Sequence, residues 1–164
     1  MNDSEFLWKL LPQLKQVKIA KGDTLYWKGD HADEMFFILK GGVKLYTSKG
    51  YPFMKFSEGE HFGDSDTLLD SARDSKAIAI TNLKLLVLKK ESFSKFVNQF
   101  KQQCLKMIYH AKKKRNQHKM LRKEVNKKQE VIIQKNNDSK LYVQLQKEGI
   151  NISTSEPLSS RMLR

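Results

Sequence analysis

The sequence predicts a mainly β, α+β protein: an antiparallel barrel or sandwich over residues 16–100, preceded by a short helix and followed by a long basic one. Three observations lead there. Between residues 17 and 90, short runs rich in β-branched and aromatic residues recur about every ten positions. Glycine-containing breaks separate them, at Lys21-Gly22-Asp23, Lys28-Gly29-Asp30, Gly41-Gly42, Lys49-Gly50 and Glu58-Gly59-Glu60. From Glu91 the apolar spacing switches to three and four, the period of a helix. Short strands with turn chemistry between them close into a barrel or pack as a sandwich.

Ser4 to Leu14 reads as a helix, with Ser4 as its N-cap and Phe6, Leu7, Leu10, Leu11 and Leu14 at helical spacing. Pro12 inside that pattern shortens or kinks it. Strands are expected around 16–19, 24–27, 34–40, 43–47, 52–57, 75–80 and 84–89, with a helical turn from Ser65 to Asp70. After Glu91, Phe93, Phe96, Val97, Phe100, Cys104 and Ile108 form an apolar stripe. The stripe stops at AKKKRNQHK, residues 111–119, which offers almost nothing apolar to bury. Asn136-Asn137-Asp138 suggests a break, and the Ser/Thr-rich stretch 153–160 reads as loose. The organisation expected is an N-terminal helix over 1–15, the β region over 16–100, a basic helical extension over 101–135 and a partly irregular tail over 136–164.

Charge is unevenly spread. Residues 1–100 carry 15 Lys+Arg against 13 Asp+Glu, whereas residues 101–164 carry 16 against 5. The formal net charge of +13 therefore belongs almost wholly to the C-terminal third, the mark of a segment that meets an acidic partner. A single cysteine, Cys104, excludes an internal disulfide and fits a reducing compartment. The N-terminal MNDSEFLWKLLPQLKQ has acids among its apolar residues, unlike a signal peptide, and no window resembles a membrane span. A soluble, cytoplasmic protein is expected. No Ser/His/Asp or paired-carboxylate arrangement stands out, so no enzyme and no metal or cofactor is expected. His31, His61, His110 and His118 read as surface histidines, and Cys104 as packing.

The β region has a specific order. Two Gly-Asp turns, seven residues apart, bracket Thr24-Leu25-Tyr26-Trp27, and the second leads through Glu34 into Met35-Phe36-Phe37-Ile38-Leu39 and Gly41-Gly42-Val43. Further on, Glu58-Gly59-Glu60-His61-Phe62-Gly63-Asp64 runs into Ser65-Asp66-Thr67-Leu68-Leu69, and Arg73 follows nine residues after Asp64. This ordered set resembles the cyclic nucleotide-binding domain family. The resemblance implies a jelly-roll-like β-roll with a phosphate-binding cassette and cAMP or cGMP as ligand. By that resemblance, Ser65, Asp66 and Thr67 at the start of a short helix and the Arg73 guanidinium would meet the cyclic phosphate, while Gly63 and Asp64 would meet the ribose. Met107, Ile108 and Tyr109 would be placed to cap the base.

The chain also departs from the family. Asp64 stands where Glu is usual, Asp66 where a small apolar residue is usual, Ala72 where Pro is usual and Asp74 where Ala is usual. Acids near an anion repel it, and any of the three could instead pair with Arg73. Two readings follow. One is a regulatory module that couples cyclic nucleotide occupancy to its basic C-terminal helix. The other is a non-binding structural β-roll docked by that helix into a larger assembly, such as the tubulin-based ciliary axoneme. In both, Lys112, Lys113, Lys114, Arg115, Lys119, Arg122, Lys123, Lys127 and Lys128 would bind an acidic protein surface. Mostly lysine, and without aromatic platforms, the segment is poorly suited to reading nucleic-acid sequence, although nonspecific nucleic-acid binding stays open.

Overall fold

The computed structural model describes residues 3–148. They fall in two compact units, Met1–Lys123 and Glu124–Arg164. The first contains two four-stranded antiparallel sheets. One has the order β1 (Lys15–Ile19), β8 (Leu83–Lys89), β3 (Glu34–Lys40), β6 (His61–Phe62). The other runs β2 (Thr24–Tyr26), β7 (Lys76–Ala79), β4 (Val43–Tyr46), β5 (Pro52–Phe56). Among the described residues the α-helices are α1 (Asp3–Leu10), α2 (Asp64–Leu68), α3 (Lys90–Ser94) and α4 (Lys101–Lys147). The mainly β, antiparallel architecture expected from the sequence is the one observed.

The middle of the first sheet explains its own composition. β3 and β8 are nearly continuous apolar runs because both of their faces are covered. Phe36, Ile38, Leu85 and Val87 are buried, and so are Val43, Leu45, Ala77 and Ala79 of the other sheet. Phe36 stacks on Phe62 at 5.0 Å between centroids, and Phe62 stacks on Phe56 at 5.7 Å. The alternate residues Met35 and Leu88 join a second cluster with Phe6, Leu10, Phe93, Phe100 and Cys104, against which Phe37, Leu68 and Met107 also pack. Strand alternation thus feeds two cores from one sheet. Cys104 is buried in the second, as its place on the apolar stripe suggested.

Pro12 acts as expected: α1 ends at Leu10 and a single 3-10 turn, Leu11–Gln13, follows. Gly41 permits the tight turn between β3 and β4. Its φ is +98°, and a Cβ there would lie 2.5 Å from the Asn82 carbonyl oxygen. Gly41→Ala is therefore expected to destabilise the protein by about 2 kcal/mol, measured as a lower urea midpoint at unchanged slope. An unaltered midpoint would mean that the turn relaxes without strain.

Three local readings are corrected. β6 is a strand of only two residues, too short to register as a pattern. The helical run after Glu91 is two helices, since the chain turns between Ser94 and Lys101. α4 then continues through 136–147, where a break and an irregular tail were expected. Local bonds support that stretch: Gln134 donates to Asp138 at 3.0 Å and the Ser139 hydroxyl to the Lys135 carbonyl at 2.9 Å. In the second unit Lys128 pairs with Glu124 at 2.6 Å, another contact one helical turn apart. The stretch 153–160 lies outside the described residues.

Candidate functional site

At the end of β6 the chain turns sharply through Gly63, at φ +76°, into α2. A Cβ on Gly63 would meet Arg73 Nη1 at 2.9 Å and the Phe36 ring at 3.1 Å, so glycine is what lets the arginine lie against the backbone. Arg73 is 3% exposed. Its Nη1 donates to the Gly63 carbonyl at 2.8 Å and to the Thr67 hydroxyl at 3.4 Å, and its Nη2 donates to the Glu34 carbonyl. The guanidinium carbon stands 4.3 Å from the centre of the Tyr26 ring, within cation–π range. The Thr67 hydroxyl lies 2.8 Å from both the Glu34 and the Gly63 carbonyl oxygens and shares its one proton between them. Arg73 thus ties β3 and the β6–α2 turn together through backbone oxygens, and reaches α2 through the Thr67 hydroxyl. It hydrogen-bonds to none of Asp64, Asp66 or Asp74.

Two of those acids pair with α4. Lys114 Nζ lies 2.8 Å from Asp64 Oδ1 and also donates to the His61 carbonyl at 2.7 Å. Arg122 Nη1 stands 2.5 Å from Asp74 Oδ2, an ion pair by distance without hydrogen-bond alignment. Between them Arg115 donates to the Ser71 hydroxyl at 2.8 Å. His118, 3% exposed, sets its ring edge-on to Phe53 and Phe56, with centroids 5.9 and 6.1 Å away. Ala111 is fully buried two turns earlier. Residues 111, 114, 115, 118 and 122 share one helix face by their spacing. That face covers the cassette.

The titrating groups register this enclosure. Burial alone would raise Asp64, but the His61 and Lys114 hydrogen bonds and the Lys114 charge outweigh it and bring the carboxyl down to about 2. Burial and the neighbouring Asp74 charge push Asp66 up to about 6, only partly countered by Arg73 and Arg115. Burial lowers His118 to about 4, helped by Lys114 and Arg122 and opposed by Asp74 and Asp64. The interface is also incompletely bonded. Asp66 Oδ1, Arg73 Nε and His118 Nε2 are buried without a hydrogen-bond partner in the protein.

Gly63, Asp64, Ser65, Asp66, Thr67 and Arg73 are brought together around the start of α2, and all six are buried. His118 corrects the expectation of surface histidines, and Ala111 with His118 corrects the reading of 111–119 as having nothing to bury. The basic segment divides by face. Lys114, Arg115 and Arg122 engage the cassette region, while Lys112, Lys113, Lys119 and Lys123 are exposed. Met107 packs on the second core, Ile108 is half-buried and Tyr109 is 66% exposed, with its ring against His110. Lys127 and Lys128 belong to the second unit. Among the described residues no group of three or more His, Cys, Asp or Glu is placed to hold a metal ion, and no helix is long and apolar enough to cross a membrane.

A two-sheet β-roll that turns through a left-handed glycine into a five-residue helix, backed by a buried arginine, defines a class of regulatory sensor domain. Residues 16–100 match the Cyclic nucleotide-binding domain family, and the chain belongs to it. Its relatives include the potassium/sodium hyperpolarization-activated cyclic nucleotide-gated channel 2 of Mus musculus, 30% identical over 98 residues, which are 60% of this chain and 11% of the channel. The cAMP-dependent protein kinase regulatory subunit of Colletotrichum orbiculare is 27% identical over 90 residues, 54% of this chain and 23% of that subunit. The chain therefore spans a minor part of the curated relatives it matches. Among solved structures, cAMP-bound PfPKA-R (141-441) superposes with a TM-score of 0.53 at 26% identity, covering 57% of this chain and 34% of that one. The regulatory subunit of a cAMP-independent protein kinase A from Trypanosoma brucei shares the fold, with a TM-score of 0.57 at 21% identity over 71% of this chain and 40% of that one.

Proposed function

We propose that this chain is a cyclic nucleotide-responsive regulatory module in which residues 111–122 of α4 are the resting occupant of the cassette, to be displaced by cAMP or cGMP. The observation that carries this reading is the pairing of Lys114 with Asp64 and of Arg122 with Asp74 across a buried surface. The departures from the family thereby gain a role. Asp64 and Asp74 hold the helix, and Lys114 and Arg122 neutralise them. A polar interface with unpartnered buried atoms is costly to keep closed, unlike the apolar contact at Phe100 and Cys104. The helix can then open at its polar part and stay anchored at its apolar part.

Calorimetry with both nucleotides on the wild type and on the Lys114→Ala/Arg122→Ala variant tests this. Removal of the two latching cations is expected to tighten binding at least tenfold, about 1.4 kcal/mol. If neither protein binds either nucleotide at millimolar concentration with the fold intact, the proposal fails.

A second reading is favoured by Asp66, a residue 2% exposed at the start of α2, where a phosphate would sit. It is a non-binding β-roll docked into a larger protein assembly, axonemal or other, through the exposed Lys112, Lys113, Lys119 and Lys123. The failed calorimetry just described is the result this reading requires.

A further inference from the structure

We propose a second ligand site, on the solvent face of the β2-β7-β4-β5 sheet, suited to an unstacked nucleobase beside its phosphate. In β4 and β7 the residues Val43, Leu45, Ala77 and Ala79 point inward and are buried, which turns Lys44, Tyr46, Lys76 and Ile78 outward. Tyr46 pairs with Lys76 across β4 and β7, and Tyr26 pairs with Ala77 across β2 and β7. Trp27, one residue past Tyr26, therefore comes level with Lys76. The row across three strands reads aromatic, cation, aromatic.

Trp27, Lys28, Tyr46, Ser48, Lys76 and Ile78 line a pocket of about 480 Å³ there, a volume typical of small-ligand sites. No carboxylate lines it. The nearby Asp30 is turned back to accept the Trp27 backbone N–H at 2.8 Å. Trp27 is 57% exposed, and Lys76 Nζ stands 3.7 Å from its ring centre. Neither Lys28 nor Lys76 forms an ion pair among the described residues. The part of the Trp27 ring that Lys76 leaves exposed, beside ammonium groups that no carboxylate neutralises, suits a partner that is flat on one side and anionic on the other. An acidic peptide would satisfy the lysines and leave the rings unused. A base with its phosphate uses both, whether it comes as a free nucleoside monophosphate or within a single strand. The aromatic platforms missing from the basic helix are present on this sheet, far from α4 in sequence.

The chain has two tryptophans, and Trp8 is 74% exposed, so a Trp8→Phe variant leaves Trp27 as the sole reporter. Its emission would be titrated with AMP and with a uridine octamer at low and high salt. Saturable quenching that weakens with salt is expected. Quenching by the octamer but not by AMP at equal nucleotide concentration would assign the site to a strand, and equal quenching would assign it to a free nucleotide. In parallel, the polarisation of a labelled octamer, or of labelled AMP, should show at least a tenfold loss of affinity in the Trp27→Ala and Lys76→Ala variants. No quenching by either ligand at millimolar nucleotide would overturn the proposal. So would wild-type affinity in Trp27→Ala, or full displacement by polyglutamate at equal charge, since either would mean attraction by charge alone.

Discussion

Arg73→Ala is expected to lower the unfolding free energy by about 3–5 kcal/mol, because the residue is structural whether or not it also meets a ligand. Its loss would remove the guanidinium donors to the Gly63 and Glu34 carbonyls, leaving the Thr67 hydroxyl alone between them, and would take from Asp66 the larger of the two positive charges that counter it. It would also empty the space over the Tyr26 ring. Arg73→Lys should lose less, because an ammonium keeps the charge yet lacks the planar fork that reaches both carbonyls. Urea unfolding of the two variants beside the wild type checks the order. A loss below about 1 kcal/mol for the alanine variant would contradict the anchoring role. The consequence for binding studies is direct: an Arg73 variant that fails to bind a nucleotide must first be shown to be folded.

The second large effect is a cancellation that single substitutions should expose. Asp66, raised to about 6 in the fold from an ordinary 3.8, contributes stability that is complete below pH 3.8 and disappears as pH rises through 6. His118, lowered to about 4 from 6.5, contributes stability that is complete above pH 6.5 and disappears as pH falls to 4. Between pH 6 and 4 the two slopes oppose each other at about 1.4 kcal/mol per pH unit each. Their joint contribution to the wild-type profile in that window should be nearly flat. Asp66→Asn should make the protein lose roughly 3 kcal/mol on going from pH 6 to 4, and His118→Phe should make it gain about as much. Urea midpoints at several pH values read both slopes. Parallel profiles for the three proteins would show that neither group is enclosed by α4.

The β-roll was legible because its determinants are local. Glycine turns and two-residue alternation reveal themselves within a few positions, and the stripe from Phe93 to Cys104 continues an ordinary apolar period. β6 escaped because His61 and Phe62 make a strand only by pairing with Phe37 and Phe36 of β3. The inner face of α4 escaped for a different reason. Hydrophobic periodicity is blind to a buried surface made of Ala111, Lys114, Arg115, His118 and Arg122. Two signs were nonetheless present. These residues continue the Cys104 stripe at spacings of one to four, and the cassette carries acids in excess of the family pattern some fifty positions earlier. Joined, they give a charge-matched interface; taken apart, they look like a solvated helix and a damaged site.

The second core sets where this molecule begins and ends as a folding body. Phe6 and Leu10 come from before the β-roll, and Phe100 and Cys104 from its far end, yet they pack together over Met35 and Leu88. Phe6 and Phe100 touch, with ring centres 5.4 Å apart. The two ends of the roll are thus clasped by one apolar knot that reaches beyond residues 16–100, the span that matches the family. Cutting the chain at those limits would remove Phe6, Leu10 and Cys104 from the cover on the outer side of β3 and β8, leaving Phe93 and Phe100 without those partners. The inherited unit is the roll; the autonomous one is the roll with its clasp.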